Sequence, residues 1–586
     1  LTIQENLWLV STQHFSMILW VNSNHMSKNK LKIGLLVEDG NLPAWAFEMV
    51  SQIQASHYAE ISLIIENDVE KVRPNLSILD KVKNNKNRLG YLFVKKILEV
   101  AYDKLIDRVQ TLPNATESHS CNELYKGIPL IKVQPIQKKH SDYFVDNDIK
   151  KINECQLDVI IRLGFRILRG DILSASKYGV WSFHHGDNHL NRGGPAGYWE
   201  SLENWPETGA ILQILNEDLD NGQVLYRSYS CTKEFSFNEN INSYFWKSLY
   251  FMTRSLESLY IEGEKEFFEK IAKQNQDPTI YSEKLYKSPT NKELIKLTFN
   301  KLIKKLSHII QQEFYFEQWI LLFDIKKEFS SSLWRYKRMI PPKDKFWADP
   351  HVIYRNNTYY IFIEEYLYKI GKGHISLIEM SEKGDYSEPK VILEKDYHLS
   401  YPFIFDHDNE FYMIPESVEN NTVELYRCTQ FPDKWEFVMN LMENVSLLDA
   451  TLLFYNNKWW MFANGAEHKG ISTWDELFLF SSDDLFSQDW VSHPMNPIIS
   501  DCKRARPAGK IFEKNDDLYR PSQNSSHKYG YGFNFNRIIQ LDELNYREEL
   551  VSKVEPNWAE DVTATHTFSN AHNLYVIDAQ IKTKKK

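Results

Sequence analysis

The sequence predicts a multidomain chain, with an α/β domain, a helical connector and an all-β five-bladed propeller in that order. Three observations predict it. Apolar runs of strand length alternate with amphipathic helical stretches over roughly the first 230 residues. Helical periodicity with almost no glycine follows, and a repeat of short aromatic strands fills the rest. A length of 586 residues supplies several cores, and 42% hydrophobic with 25% charged residues excludes a disordered or fibrous chain. The 16 Trp, 32 Tyr and 33 Phe suit β-rich structure or sugar-contacting surfaces. A net charge of -10 argues against a general nucleic-acid binder. Cys121, Cys155, Cys231, Cys428 and Cys502 are scattered, with no C-x-x-C spacing. That excludes a disulfide framework and a structural zinc site, and points to a reducing, cytoplasmic setting.

Residues 7–21 are apolar but broken by Ser11, Gln13 and His14, too short to span a bilayer, so no membrane span is expected. Met26 stands just before the first strong strand, and residues 1–25 are read as an extension outside the fold. Residues 31–37 (LKIGLLV) form a strand, and Gly40 and Pro43 turn the chain. A helix follows with Trp45, Met49 and Ile53 on one face, and 61–65 is the next strand. The segment 71–88 reads as a polar loop, 89–109 as a helix, and 128–133 and 158–163 as strands. Residues 26–235 thus form one α/β domain. Over 236–318, one stripe is Phe245, Leu249, Met252 and Leu256, and another is Ile295, Phe299, Leu302, Leu306 and Ile310. Both are expected to pack, as a connector holding the two halves, with Lys301, Lys304 and Lys305 on a solvated face.

Residues 319–586 carry the repeat. Each unit opens on a short step and continues as apolar strand, polar turn and aromatic strand. The steps are Asp349-Pro350, Tyr401-Pro402, Asp449-Ala450, Arg506-Pro507 and Thr563-Ala564, spaced by 48–57 residues. That period is blade-sized, and five copies give five blades. Inner-strand starts point into a central funnel, where Asp349, Tyr401, Asp449 and Arg506 should converge.

The stretch 158–225 carries chemistry. A strand over 179–183 ends in His184-His185-Gly186, and Asp220 lies in a loop after an apolar strand over 210–215. Polar groups just past the carboxyl ends of parallel strands sit where open α/β sheets bind ligands. A His and an Asp there can form an acid/base pair, the carboxylate orienting the imidazole.

Four motifs stand in order: Ser182-Phe183-His184, Arg192-Gly193-Gly194-Pro195, Glu207-Thr208-Gly209 and Leu219-Asp220-Asn221-Gly222. Together they resemble the formyltransferase family, which includes methionyl-tRNA formyltransferase and the sugar N-formyltransferases. The resemblance covers roughly residues 30–230. It implies a Rossmann-like fold, N10-formyltetrahydrofolate as donor substrate, an amine acceptor and no metal. It makes His184 the proton shuttle and Asp220 its orienter. It places the pterin ring against Arg166, Ile167 and Leu168 and against 217–221, with Asp218 and Asn221. The family carries Asn two residues before the His, where this chain has Ser182. Either Ser182 or Asn188 then supplies the oxyanion donor, or the domain runs another reaction or none. His185 reads as a neighbour.

The repeat resembles the five-bladed propellers of arabinanase- and levansucrase-like glycosidases (glycosyl hydrolase family 43-like), through Ala348-Asp349-Pro350, Asp449-Ala450 and 481–485 with Trp490. Their general-acid Glu falls where this chain has Arg506, which reads instead as a clamp for phosphate or carboxylate. Glu416 is the stand-in carboxylate. The fourth repeat also resembles the propeller domain at the N-terminus of glucosamine inositolphosphorylceramide transferases. These resemblances imply formyl transfer to an amino sugar, nucleotide-linked or part of a surface-glycan precursor for polysaccharide biosynthesis, with a glycan-recognising propeller. The alternatives are a glycan-binding or glycan-processing protein with a degenerate formyltransferase half, and a glycosidase acting at the propeller. The expected partners are a small amino sugar or nucleotide sugar and a glycan, without nucleic acid.

Overall fold

A computed structural model describes residues 28–69, 86–87, 90, 112–233, 237–278 and 280–585. The extension at 1–25, almost all of the loop read over 71–88, almost all of the helix read over 89–109, and the Leu302 side chain lie outside the described residues. Two compact units divide at Lys304/Lys305.

The first unit contains β1 (Leu31–Val37), α1 (Ala44–Ala55), β2 (Ala59–Asn67), β3 (Leu130–Val133) and α2 (Asp146–Glu154). It continues with β4 (Val159–Arg162), β5 (Val180–His184), β6 (Glu207–Ile214) and β7 (Gln223–Cys231). One seven-stranded sheet has the order β7-β6-β5-β4-β1-β2-β3. Strands β3, β2, β1, β4 and β5 pair in parallel, and β6 and β7 add antiparallel. β1 is central, and Ile33, Leu35, Leu36 and Val37 are fully buried, as a strand covered on both faces requires. In α1, Trp45, Met49 and Ile53 face the core together.

The chain winds outward in opposite directions from β1 and β4, which opens a crevice beyond their carboxyl ends. The loops meet there closely. A Cβ on Gly164 would lie 2.4 Å from the Glu38 nitrogen. Phe165, in the left-handed region at φ 66°, donates its N–H to Glu38 Oε1 at 2.7 Å.

Three helices follow: α3 (Phe237–Glu262), α4 (Glu264–Gln274) and α5 (Asn291–Phe314). The first predicted stripe is mostly buried, at Leu249, Met252 and Leu256, with Phe245 partly so. The second is not. On α5, Ile295, Phe299, Leu306 and Ile310 are exposed at 69%, 60%, 50% and 58%. The helix buries Leu294 instead, with Tyr198, Trp199, Leu202 and Tyr286. A helical period fixes which residues share a face, and not which face finds a neighbour.

The second unit is five antiparallel sheets. The first four open on or near Lys345–Arg355, Ser400–His407, Leu447–Tyr455 and Phe512–Lys514. The fifth joins Tyr315–Ile325 to Leu574–Lys584 over eleven paired residues, from Tyr315↔Lys584 to Ile325↔Leu574. Tyr315 therefore starts a blade strand inside the segment read as connector. The strand closes the ring by pairing the beginning of the propeller with its end, so five sheets form without an open edge between first and last.

Three of the five predicted steps are bulges built on a left-handed residue. Asp349, Tyr401 and Asp449 have φ of 50°, 41° and 51°. Strand register shifts at each of them, between Ala348/His351, Ser400/Phe403 and Leu448/Thr451. A bulge inserts an unpaired residue and re-aims its side chain. The repeat visible in sequence is thus a repeated backbone device at the inner rim of the blades.

Candidate functional site

Two polar clusters stand out, one in each unit. In the α/β unit, the alternation of β5 puts Ser182 and His184 on one face. His184 Nδ1 lies 3.3 Å from Asp220 Oδ2. Asp220 sits at φ 48°, and Gln213 Nε2 donates to its Oδ1 at 3.2 Å. His184 Nε2 is 2.6 Å from the Asn191 carbonyl, which can only accept, so Nε2 carries hydrogen and Nδ1 is the nitrogen turned to the carboxylate. Asn191 is itself fixed: Gly193 N donates to its Oδ1 at 2.9 Å, and its Nδ2 donates to Glu200 Oε1 at 3.3 Å.

Glu200 is almost fully buried, and desolvation pushes its carboxyl up to about 7. The folded chain therefore holds a proton that the unfolded chain releases near 4.5. Stability from this group is fully present below about 4.5 and is lost as pH rises to about 7. Glu200→Gln removes that loss, so the melting temperature should rise at about pH 8 and change little at about pH 4. An equal shift at both values would exclude titration of this carboxyl.

Arg162, at the end of β4, escaped the sequence reading because no motif marks it. Its guanidinium donates to Ser182 Oγ at 3.1 Å, to the Phe165 carbonyl at 3.0 Å and to the Arg166 carbonyl at 2.9 Å. Burial weakens its hold on the proton, while Asp220, Asp142 and Glu38 support the charge. Ser182 is 1% exposed beneath it. The larger Asn of the formyltransferase pattern would crowd the guanidinium there. Ser182→Asn should cost about 1–3 kcal/mol by overpacking and lower any turnover by displacing Arg162. Turnover above wild type would show that position 182, and not Arg162, holds the missing donor. Asn188 is partly engaged, its amide donating to the Asp220 carbonyl at 3.1 Å and its Oδ1 accepting from Arg227 at 2.7 Å, which leaves one amide hydrogen.

The other expected residues divide. Arg166 is locked on Asp142 by its Nε at 2.9 Å and Nη2 at 2.7 Å, and its backbone is engaged as well, the N–H donating to Asp142 Oδ2 at 2.9 Å and the carbonyl accepting from Arg162 at 2.9 Å. Leu168 packs into the core with Phe144 and Phe165, and Ile167 is half-buried. Asn221 Oδ1 accepts from Arg192 at 2.9 Å, and Asp218 is exposed. His185 stacks among Trp45, Phe183, Tyr244 and Phe245, and burial with the neighbouring His184 pushes it down to about 3. It is a neutral core residue.

In the propeller, a cavity of about 220 Å³ is lined by acids and rings, among them Asp349, Glu364, Glu416, Trp319, Tyr366 and Tyr529. Arg506 lies on its wall and is occupied: Nε meets Asp449 Oδ2 at 2.6 Å, and Nη2 meets Asp449 Oδ1 and Glu416 Oε2 at 3.1 Å each. Burial works against its charge, and Asp449, Tyr529 and Glu416 outweigh that. Arg506 is thus a counter-ion, and not the free phosphate or carboxylate clamp expected. Asp449 lies beneath it, 2% exposed, and is not on the cavity wall. Tyr401 is also off the wall, its hydroxyl bonded to Thr451 at 2.8 Å and to Gly509 N at 2.9 Å. Of the expected four, Asp349 and Arg506 reach the cavity, and Glu416 joins them.

Below lies a triad the sequence did not reveal. His566 Nδ1 is 2.6 Å from Asp578 Oδ2, and its Nε2 is 3.5 Å from Asp349 Oδ1. Burial alone would lower the imidazole pKa, but the two carboxylates raise it. These three could meet a metal ion by position. A protonated imidazole bridging two carboxylates answers the same geometry, and it has no lone pair to give a metal.

Comparison with known proteins places the propeller. Residues 338–581 match the family model described as glucosamine inositolphosphorylceramide transferase 1, N-terminal. The transferase of that name from Oryza sativa subsp. japonica is 33% identical over 206 residues, covering 35% of this chain and 27% of the relative. The Arabidopsis thaliana transferase is 31% identical over 209 residues, with the same coverages. The chain spans about a quarter of the length of these curated relatives. Among solved structures, Zg3597, a family 117 glycoside hydrolase of Zobellia galactanivorans, aligns at 15% identity and a TM-score of 0.30, over 46% of this chain and 90% of its own. Residues 338–581 are thus similar to the N-terminal domain of the glucosamine inositolphosphorylceramide transferases.

Proposed function

We propose that the α/β unit transfers a formyl group from N10-formyltetrahydrofolate to the amine of an amino sugar, and that the propeller recognises a glycan. The observation that carries the first part is the His184–Asp220 pair, held at 3.3 Å just past the carboxyl end of a parallel strand. A neutral amine would attack the donor's formyl carbon, and the bond from that carbon to the folate N10 would then break, N10 taking up the proton that the amine gave up. The chain's own residues answer the two charges this creates. A proton taken from the amine at His184 Nδ1 is held against Asp220, while Asn191 and Gln213 keep ring and carboxylate in place. Arg162, fixed on Ser182 Oγ at 3.1 Å, is a cation beside β5 and suits a developing oxyanion. The crevice beyond β1 and β4 would take the pterin, beside residues 166–168 and 217–221.

Support for the second part is the acid- and aromatic-lined cavity, together with the likeness to a domain of sugar-named transferases. Hydrolysis is disfavoured, because Arg506 ties up Asp449 and Glu416, two of the carboxylates a glycosidase would need free. The cytoplasmic setting rests on cysteine usage; none of the five cysteines forms a disulfide. Among the described residues, no helix is long and apolar enough to cross a membrane.

The test is formyltetrahydrofolate consumption with a panel of amino sugars and nucleotide-linked amino sugars. Turnover with one class identifies the acceptor. No folate turnover with any acceptor leaves the second reading, a glycan-binding protein with an inactive α/β unit, which the Ser182 departure favours.

A further inference from the structure

We infer that the propeller cavity selects a sugar bearing a free, protonated amine over the same sugar when neutral or N-acylated. The inference rests on the reading of this cavity as a sugar site, and goes beyond it by naming the charge of the occupant.

The reason is a shortage of cations. Five carboxylates, Asp349, Glu364, Glu416, Asp449 and Asp578, lie on the cavity wall or directly beneath it. Two cations face them. Arg506 is used by Asp449 and Glu416, and His566 lies between Asp578 and Asp349. Glu364 is left. It is 6% exposed, yet it lines the cavity. Its Oε1 has His398 Nε2 at 3.4 Å, and among the described residues its Oε2 has no hydrogen-bond partner. His398 is itself turned by its Nδ1, which accepts from Gly373 N at 2.9 Å, so its other nitrogen is the donor. A carboxyl group whose residue is more than nine-tenths buried, with one oxygen lacking a donor, thus lines the space a ligand would enter.

Burial, then the charges of Asp349, Glu416, Asp449 and Asp578, raise the Glu364 carboxyl well above the ordinary range. With the cavity empty, Glu364 holds one of the protons that meet the shortage, since burial raises Asp349 and Asp449 as well. An ammonium group in the cavity does the same work from outside. Its binding should therefore expel that proton, whereas a neutral sugar leaves it in place. The walls suit the rest of such a ligand. A volume of about 220 Å³ corresponds to about seven waters, the scale of one sugar ring. Trp319, Phe346, Tyr366 and Tyr529 line it with aromatic surface for ring C–H groups.

The experiment is calorimetric titration of the whole chain at neutral pH with a tetrasaccharide of β-1,4-linked glucosamine and with its fully N-acetylated counterpart, in two buffers of different ionisation enthalpy. The expected result is a preference for the free amine of about tenfold or more, with a buffer-dependent heat that reports proton release for the amine alone. Glu364→Gln should bring the two ligands to within about threefold of each other, by weakening the amine and sparing the acetylated sugar. The wild-type buffer dependence decides the matter even if that variant does not fold. Equal or better binding of the acetylated sugar overturns the inference and leaves the sugar site standing. Binding of neither sugar overturns both. Calcium chloride bound more tightly than either sugar would make this a metal site, and overturns the inference as well.

Discussion

Replacing His184 with alanine should abolish formyl transfer, with a loss of at least roughly 10²–10⁴-fold expected for removal of a general acid/base. Asp220→Asn should lose most of it, because an amide cannot hold a proton on the imidazole as a carboxylate does. The sequence places these residues on surface loops, where substitution costs little stability. The structure corrects that. His184 is 8% exposed and satisfies the Asn191 carbonyl, so its removal leaves a buried acceptor unmet, at about 1–3 kcal/mol. Melting temperature and folate binding must therefore be measured beside turnover. A variant that still melts cooperatively and binds folate but does not turn over separates chemistry from folding. Wild-type turnover in purified His184→Ala would end the proposed mechanism.

The second large effect is expected in the propeller. Arg506→Ala removes the partner of two carboxylates in a site where Arg506 is 5%, Asp449 2% and Glu416 8% exposed. Breaking a buried pair from one side strands the other, at about 3–5 kcal/mol. For a domain of this size the propeller transition should fall by on the order of 10 °C. Adding Asp449→Asn to Arg506→Ala should recover part of the loss, because the stranded charge is then gone. An unchanged transition in the single variant would mean that these carboxylates are neutral and that Arg506 is not their counter-ion.

Much of this architecture was legible in the sequence, for identifiable physical reasons. Bulged steps such as Asp349-Pro350 repeat because three of the blades use the same backbone turn at their inner rim, and that demand marks the residues. The parallel strands of the α/β unit declared themselves as apolar runs. The cavity wall was harder to see. Glu364 pairs opposite Ala348 as Glu416 pairs opposite Ser400 and Asn464 opposite Leu448. That equivalence was present in the repeat, and only Glu416 was picked out, because glutamates at strand ends are common. His566 and Asp578 belong to the degenerate fifth copy, which carries the ring closure and departs from the pattern. Arg162 has no signature at all. It matters through where β4 ends beside β5, and sequence spacing does not report a neighbour across a sheet. The exposed stripe on α5 failed for the complementary reason, since periodicity predicts a face without its cover.

The closing strand has a consequence for how the chain is made. Tyr315–Ile325 pairs with Leu574–Lys584, so the fifth blade cannot assemble until almost the whole propeller has been synthesised. The first four sheets are contiguous in sequence and can form as they emerge, whereas this pairing closes a loop of some 250 residues. Before that moment the inner strands lack a finished ring, and the apolar face of Tyr315–Ile325 waits unpaired. The nascent protein thus passes through a period in which a long, hydrophobic strand is a target for misassembly or for a chaperone, and its safety depends on the speed of translation through the last blade.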